Sequence, residues 1–282
     1  MKVFLTGGSG YLGRATIAEL RRQGHTVEAL SRSPKAAKAV EAAGAASVQG
    51  GLTDLDILNQ AAGRADAVIH LAQAGTAEED LAAATAMQDG VGSGAYVHTG
   101  GSWVYGDTDG VRDETAPWNP PAVVAWRRAV EDAVLAHRGR PVIVQPGLLY
   151  GGDNRLIDIF FVQPGLRHGA IPYIGDGANH WALAHIDDIA TLYVAALAAR
   201  PGSVYLGVGG VNPTAREVAE ALSNGVGLAG KTVSITLDQA RADMGPIAEA
   251  FALDQQLTPA KAERELDWAV TRTDPLAAFA RG

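Results

Sequence analysis

The run TGGSGYLG at residues 6–13 constrains this chain more than any other stretch. It follows the apolar run KVFLT (2–6) and opens YLGRATIAELRRQGH (11–25), whose apolar residues recur at helical spacing, with Gly24 near the expected C-cap. The run fits both G-x-G-x-x-G (Gly8, Gly10, Gly13) and T-G-x-x-G-x-x-G (Gly7, Gly10, Gly13). Glycines at those steps permit a tight turn, close approach of backbone to a pyrophosphate, and close packing of helix on strand. The helix N-terminus adds oriented N–H donors and the positive end of a dipole. Alone, such a run is an ordinary glycine-rich turn. After the first strand of an alternating series it predicts a dinucleotide site.

That series is present. Strand-like runs at 26–31, 46–49, 66–72, 95–100 and 141–147 alternate with helical patterns at 34–43, 54–62, 77–89 and 122–134. Alternation at this spacing predicts right-handed crossovers and a parallel sheet covered on both faces. The expected fold class is α/β, a Rossmann-like doubly wound parallel sheet with a small C-terminal substrate-binding subdomain. After Tyr150 the rhythm breaks. Residues 151–181 read as loop-rich, HIDDIATLYVAALAA (185–199) as a helix capped by Asp187 and Asp188, and SVYLGV (203–208) as a further strand. The dinucleotide domain is expected over 1–150, rejoined by about 182–208, and the subdomain over 151–181 and 209–282.

Composition removes several functions. A net charge of −8 leaves no basic surplus for nucleic acid or an anionic membrane. Zero cysteines exclude disulfides and thiolate chemistry, and with no His pair at ligand spacing no metal site is expected. The amino terminus enters a strand without a signal-peptide core, and the longest apolar helical stretch, 189–199, is shorter than the roughly 20 residues that span a bilayer. A soluble, cytoplasmic protein is expected. GVGLAGKT (225–232) matches a Walker A pattern but lies after a helix and before a strand, the reverse of the order that motif needs. A nucleotide hydrolase would require ATP turnover dependent on Lys231.

At the tip of the second strand an NAD site usually carries Asp or Glu. Here the tip reads Ser31-Arg32-Ser33, with Lys35 close by and Glu28 too early. An Arg and two hydroxyls suit a 2′-phosphate, which favours NADP(H). The alternative is a solvated surface Arg.

In these segments the chain resembles the extended short-chain dehydrogenase/reductase family, which includes nucleotide-sugar epimerases and dehydratases. The resemblance rests on TGGSGYLG, VIHLA (68–72), HTGGSWVYG (98–106), QPGLLYG (145–151), AHIDDIA (184–190) and TPAKAERELDW (258–268). It implies that Gly7, Gly10, Tyr11, Leu12 and Gly13 wrap the pyrophosphate. It places Leu71, Ala72 and Gln73 beside the cofactor and Pro146 and Leu148 near the nicotinamide. After the third strand the family often has Asp-Leu or Asp-Ile. Here Gly51-Leu52 stands, which keeps Leu52 in the cofactor set but removes the usual contact to the adenine amino group. Members often dimerise through the helices around 77–89 and 120–138, so a homodimer is expected.

The largest departure is catalytic. Members usually carry Y-x-x-x-K, in which the Tyr protonates a carbonyl oxygen and the Lys holds the ribose and lowers the Tyr pKa. Placing the helix by Glu131 puts Val123 at the Tyr position, Trp126 at a frequent Ser and Arg127 at the Lys. None of the seven tyrosines has Lys four residues later, and no Lys occurs between Lys38 and Lys231. The family's Ser/Thr position falls on Gly101, flanked by Thr99 and Ser102.

The remaining candidates each carry two readings. Arg127 holds a ribose and supplies charge, or pairs with Glu131 on a solvated face. Thr99 and Ser102 donate to a substrate oxygen, or cap strand ends. Tyr105 is the nearby phenol, more often packing than acid. His70 and His98 read as core histidines. Trp103, Trp118 and Trp126 wall a pocket for an apolar or aromatic small molecule, or are core. The favoured function is an NADP(H)-dependent reductase passing hydride to a small carbonyl, imine or activated alkene, with Ser102, Tyr105 or water giving the proton. An NADP(H)-sensing protein without turnover is the second reading. Sugar epimerisation or dehydration is disfavoured, because both need a base where Val123 stands.

Overall fold

The computed structural model describes residues 1–153 and 155–281. Seven strands pair in parallel: β1 (Lys2–Thr6), β2 (Thr26–Ser31), β3 (Ala46–Gln49), β4 (Ala67–His70), β5 (Ala95–Thr99), β6 (Arg140–Pro146) and β7 (Ser203–Gly207). Their order is β7-β6-β5-β4-β1-β2-β3. The order reverses between β1 and β4, and a crevice opens beyond the carboxyl ends of strands at such a switch point. The helices are α1 (Tyr11–Arg22), α2 (Pro34–Ala42), α3 (Leu55–Gly63), α4 (Ala77–Val91), α5 (Arg127–Ala136), α6 (Ile186–Ala195) and α7 (Ala215–Gly225), with shorter ones between.

Period-two alternation divides the strand residues between two cores. Val3 and Leu5 pack with Ile17 and Leu20 of α1 and Ile189 and Leu192 of α6. Phe4, between them, packs with Leu58 of α3, Met87 of α4 and Val130 of α5 on the other side. A third cluster (Phe161, Ile171, Trp181, Val218, Leu222 and Phe251 among its members) forms the core of the smaller part of the chain.

Local structure differs from the sequence expectation in four places. The helix expected over 122–134 begins as a 3-10 turn, Ala122–Val124, and becomes α-helical only at Arg127, because Pro120 and Pro121 precede it. The stretch 151–181 holds more than loop: a helical turn at Arg155–Ile157 runs through a π-helical turn, Asp158–Val162, into Gln163–His168, and Ile171–Ile174 is a strand. Pro164 and Gly165 look like breakers in sequence, yet Pro164 sits in the first turn of that last helix and Gly165 leaves room for Ile171. Asp188 is not a cap. It is buried and accepts from Thr271 Oγ1 and from the backbone N–H groups of Thr271 and Arg272, while His185 caps α6. Finally, Ala262 and Trp268, expected in the subdomain, pack in the cluster beneath α1 and α6. The Walker-like run joins α7 to the strand Thr232–Ile235, the reverse order that the sequence indicated. No described helix is long and apolar enough to cross a membrane.

A buried polar seam ties α5 to the sheet. The Tyr105 hydroxyl donates to Gln145 Oε1 at 2.7 Å, and Gln145 Nε2 donates to Glu131 Oε2 at 2.8 Å. Glu131 Oε1 is buried with no hydrogen-bond partner among the described residues. Removal from water disfavours the charged form, and burial pushes the Glu131 pKa up to about 7.

Two stability measurements follow. Gly90 of α4 lies where a β-carbon would collide with the Asn59 carbonyl of α3. Gly90→Ala is therefore expected to cost about 1–3 kcal/mol through forced separation of the two helices, seen as a lower melting temperature. An unchanged melting temperature would show that the helices part freely. For Glu131 the folded pKa lies above the unfolded value near 4.5, so the folded state holds the extra proton between them. Its contribution is full at acid pH, is lost as pH rises from about 4.5 to 7, and then levels. Glu131→Gln should remove a pH-dependent loss on the order of 3 kcal/mol from denaturant titrations across that window.

Candidate functional site

The turn after β1 is shaped for a phosphate. Gly7 adopts φ +75°, and the Gly10 N–H donates to the Gly7 carbonyl at 2.9 Å. A β-carbon on Gly13 would run into that same carbonyl, so only glycine lets α1 start so close to the strand end. No side chain caps α1 and its first turn holds no acid, which leaves its N-terminal N–H groups without a side-chain competitor. Leu12 packs against the core beneath. Tyr11 is a strut: its hydroxyl donates to the Gly151 carbonyl, and burial raises its pKa further.

At the tip of β2 the three predicted residues part company. Ser31 is buried, with its hydroxyl 3.4 Å from the Ala29 carbonyl, and Ser33 Oγ caps α2 by accepting from Ala36 N–H. Arg32 is exposed and no hydrogen bond or ion pair engages it among the described residues. Past β3, Leu52 is half-buried against the outer core, and the Gly51 N–H is taken by the Asp54 carboxylate at 2.7 Å.

At the carboxyl ends of β4 and β5, Leu71 and Ala72 are half-buried and the Ala72 N–H donates to Thr6 Oγ1. Arg127 spans the gap between the strands. Its Nη1 donates to the Thr99 carbonyl at 3.3 Å and its Nη2 to Gln73 Oε1 at 3.0 Å. The guanidinium lies over Gly101, where an added β-carbon would sit 3.7 Å from Nε. Burial draws the Arg127 pKa down, with the Glu131 charge opposing, and an Arg remains charged near neutrality. The solvated Arg127–Glu131 pair does not form: Glu131 turns inward to Gln145. Pro146 is half-buried and Leu148 buried at the end of β6.

The three hydroxyls read from sequence as donors are all engaged by the scaffold. Thr99 Oγ1 donates to the His70 carbonyl and accepts from the Tyr193 hydroxyl. Ser102 Oγ donates to Gln255 Oε1 at 3.0 Å, and Tyr105 donates to Gln145. A proton already given to a buried partner is not free for a substrate, so the geometry withdraws all three from the donor role. The tryptophans do not form one wall. Trp118 packs edge-on to Tyr105 with Arg128 over it, and Trp126 joins the outer core. Trp103 alone faces a crevice, shared with Leu148, Trp181 and Phe251. His70 and His98 are buried in the sheet; burial draws the His70 pKa down to about 4, so it is neutral.

Sequence reasoning missed His180, which lines the same crevice, and its partner Asp254. His180 Nδ1 is 2.7 Å from Asp254 Oδ1. The partners are 74 residues apart and both fall in stretches without strong periodicity, so no local signal joins them.

A family model described as the NAD dependent epimerase/dehydratase family matches residues 3–206. An uncharacterized protein of Saccharomyces cerevisiae is 28% identical over 291 residues, covering 95% of this chain and 94% of that protein. A 2-alkyl-3-oxoalkanoate reductase of Stenotrophomonas maltophilia is 29% identical over 236 residues, covering 73% of this chain and 68% of that protein. Among solved structures, a double mutant of a dTDP-glucose 4,6-dehydratase from Streptomyces venezuelae, with NAD bound, is similar with a TM-score of 0.81 at 23% identity, covering 100% of this chain and 95% of that one. The chain belongs to the NAD dependent epimerase/dehydratase family.

Proposed function

We propose that this protein is an NADP(H)-dependent reductase acting on a small carbonyl compound, an imine or an activated alkene. One observation carries the choice of cofactor: Arg32 stands exposed and partnerless at the tip of β2, beside the N-terminus of α2, with no acid at that tip. A guanidinium and a helix N-terminus together suit a 2′-phosphate, whereas a ribose hydroxyl is usually held by a carboxylate. The glycine turn supports a pyrophosphate at α1, since the space a β-carbon would fill at Gly13 is closed by backbone. Arg127, held by Thr99 and Gln73, is positioned to take a ribose hydroxyl and fix positive charge at the carboxyl edge.

The bound cofactor supplies hydride. The chain's share is to hold donor and acceptor in register, which alone lowers the barrier substantially. Val123 stands half-buried in the 3-10 turn before α5, so no general base is offered there for epimerisation or dehydration. The relative that reduces 2-alkyl-3-oxoalkanoates favours a carbonyl acceptor. The engaged state of Thr99, Ser102 and Tyr105 favours a second reading, a dinucleotide sensor without turnover.

Calorimetric titration with NADPH and NADH tests the cofactor assignment. Wild type should prefer NADPH, and Arg32→Ala should lower NADPH affinity about tenfold to a hundredfold while leaving NADH affinity close to its starting value. Failure of both nucleotides to bind would overturn the proposal. NADPH binding without oxidation across a panel of ketones, aldehydes, imines and enones would turn it toward the sensor.

A further inference from the structure

We infer that His180, held by Asp254, hydrogen-bonds and protonates the oxygen of the acceptor carbonyl, an inference that rests on the hydride-transfer function proposed above. Asp254 holds both the ring and the backbone of His180. Asp254 Oδ1 lies 2.7 Å from His180 Nδ1 and also accepts the His180 backbone N–H at 2.9 Å. Asp254 is itself anchored, its N–H donating to Asp107 Oδ1 at 2.9 Å. A carboxylate at Nδ1 keeps a proton on that nitrogen, so Nε2 carries the lone pair of the neutral ring and the added proton of the charged one. No protein group engages Nε2 among the described residues. The side chain is 30% exposed, enough for solvent to replace a proton after each turnover.

The slot that His180 lines is bordered by residues that follow the carboxyl ends of β5 and β6. His180 lines a slot with Trp103, Leu148, Trp181, Phe251 and Gln255. Trp103 stands two residues beyond Gly101, over which Arg127 lies, and Leu148 two beyond Pro146 at the end of β6. The free space is about 10 Å³, room for one water-sized group and thus for a carbonyl oxygen rather than a whole substrate. Gln255 is fully used: its Oε1 accepts from Ser102, and its Nε2 donates to the carbonyls of Ser102 and Gly106. Among the described residues that line the slot, His180 thus keeps an unengaged side-chain nitrogen, beside apolar walls that strengthen a hydrogen bond.

The step balances. Hydride forms a C–H bond at the carbonyl carbon, the π pair moves to oxygen, and the Nε2–H bond breaks as O–H forms. The carbonyl compound is reduced to an alcohol, the dihydronicotinamide is oxidised, and neutral His180 regains its proton from water. A general acid of this kind contributes about 10²–10⁴-fold in rate.

The deciding experiment uses full-length protein saturated with NADP⁺ and titrated with benzamide, a carbonyl that is not reduced. Nitrogen NMR of the histidine rings reads the outcome. Free protein should show His180 protonated at Nδ1. The Nε2 resonance should move as benzamide binds, and His180→Ala should weaken benzamide at least tenfold without changing NADPH affinity. Asp254→Asn should lose the fixed tautomer. In parallel, NADPH-dependent reduction of acetophenone should fall about a hundredfold in His180→Ala. A silent Nε2 at saturating benzamide, no benzamide binding, or a rate within a few-fold of wild type would each overturn the role of His180. If NADPH binds in that event, the reductase proposal stands; if NADPH does not bind wild type, both fall.

Discussion

Everything at the carboxyl edge depends on one close approach, that of Gly13 to the carbonyl of Gly7. With no side chain between them, α1 begins directly on the end of β1 and aims its N–H groups across the switch point between β1 and β4. The same turn presses on the next strand connection: a β-carbon at Gly7 would sit 2.9 Å from the Ala72 nitrogen. Two glycines thus set how near the first and fourth strands' loops come, and with that the width of the cleft.

A hydrogen-bond chain then locks the strand ends in place. Thr6 Oγ1 pairs with His70 Nδ1 at 2.6 Å and accepts from Ala72, Thr99 donates to the His70 carbonyl, and Tyr193 of α6 donates to Thr99. The chain crosses β1, β4, β5 and α6, and each bond is buried or half-buried, where a lost partner is expensive. This rigidity explains why a hydroxyl at the expected spot is not free for substrate. Thr99 ends β5 at the carboxyl edge, and its proton goes to the His70 carbonyl.

The fold was legible because its signals are local. Four of the six boundaries of α1, β2 and α2 (the start of α1, both ends of β2 and the start of α2) follow from period and glycine placement. The glycine turn between β1 and α1 was legible for the same reason. The long segment after Tyr150 was not, since a π-helical turn shifts the helical period and Pro164 hides in a first turn. The state of each site residue was legible least. Sequence places Ser102, Tyr105 and Arg127 near the edge, yet the partners that decide their chemistry, Gln255, Gln145 and Gln73, come from distant segments. His180 and Asp254 are invisible in sequence for that reason.

Replacing Tyr by Val123 and Lys by Arg127 changes which reactions the edge can favour. A Lys beside a phenol lowers the phenol pKa and makes one group serve as acid and base in turn. Arg127 keeps a positive charge, but the phenol it acts on, Tyr193, is buried, donates to Thr99 Oγ1 and is raised in pKa by desolvation against the pull of that charge. Epimerisation and dehydration begin by taking a proton from an alcohol or a carbon, so they need that base. Reduction asks only that a proton arrive as charge grows on oxygen. The role inferred for His180 matches that lighter demand, since its imidazole is partly exposed and Asp254 orients it.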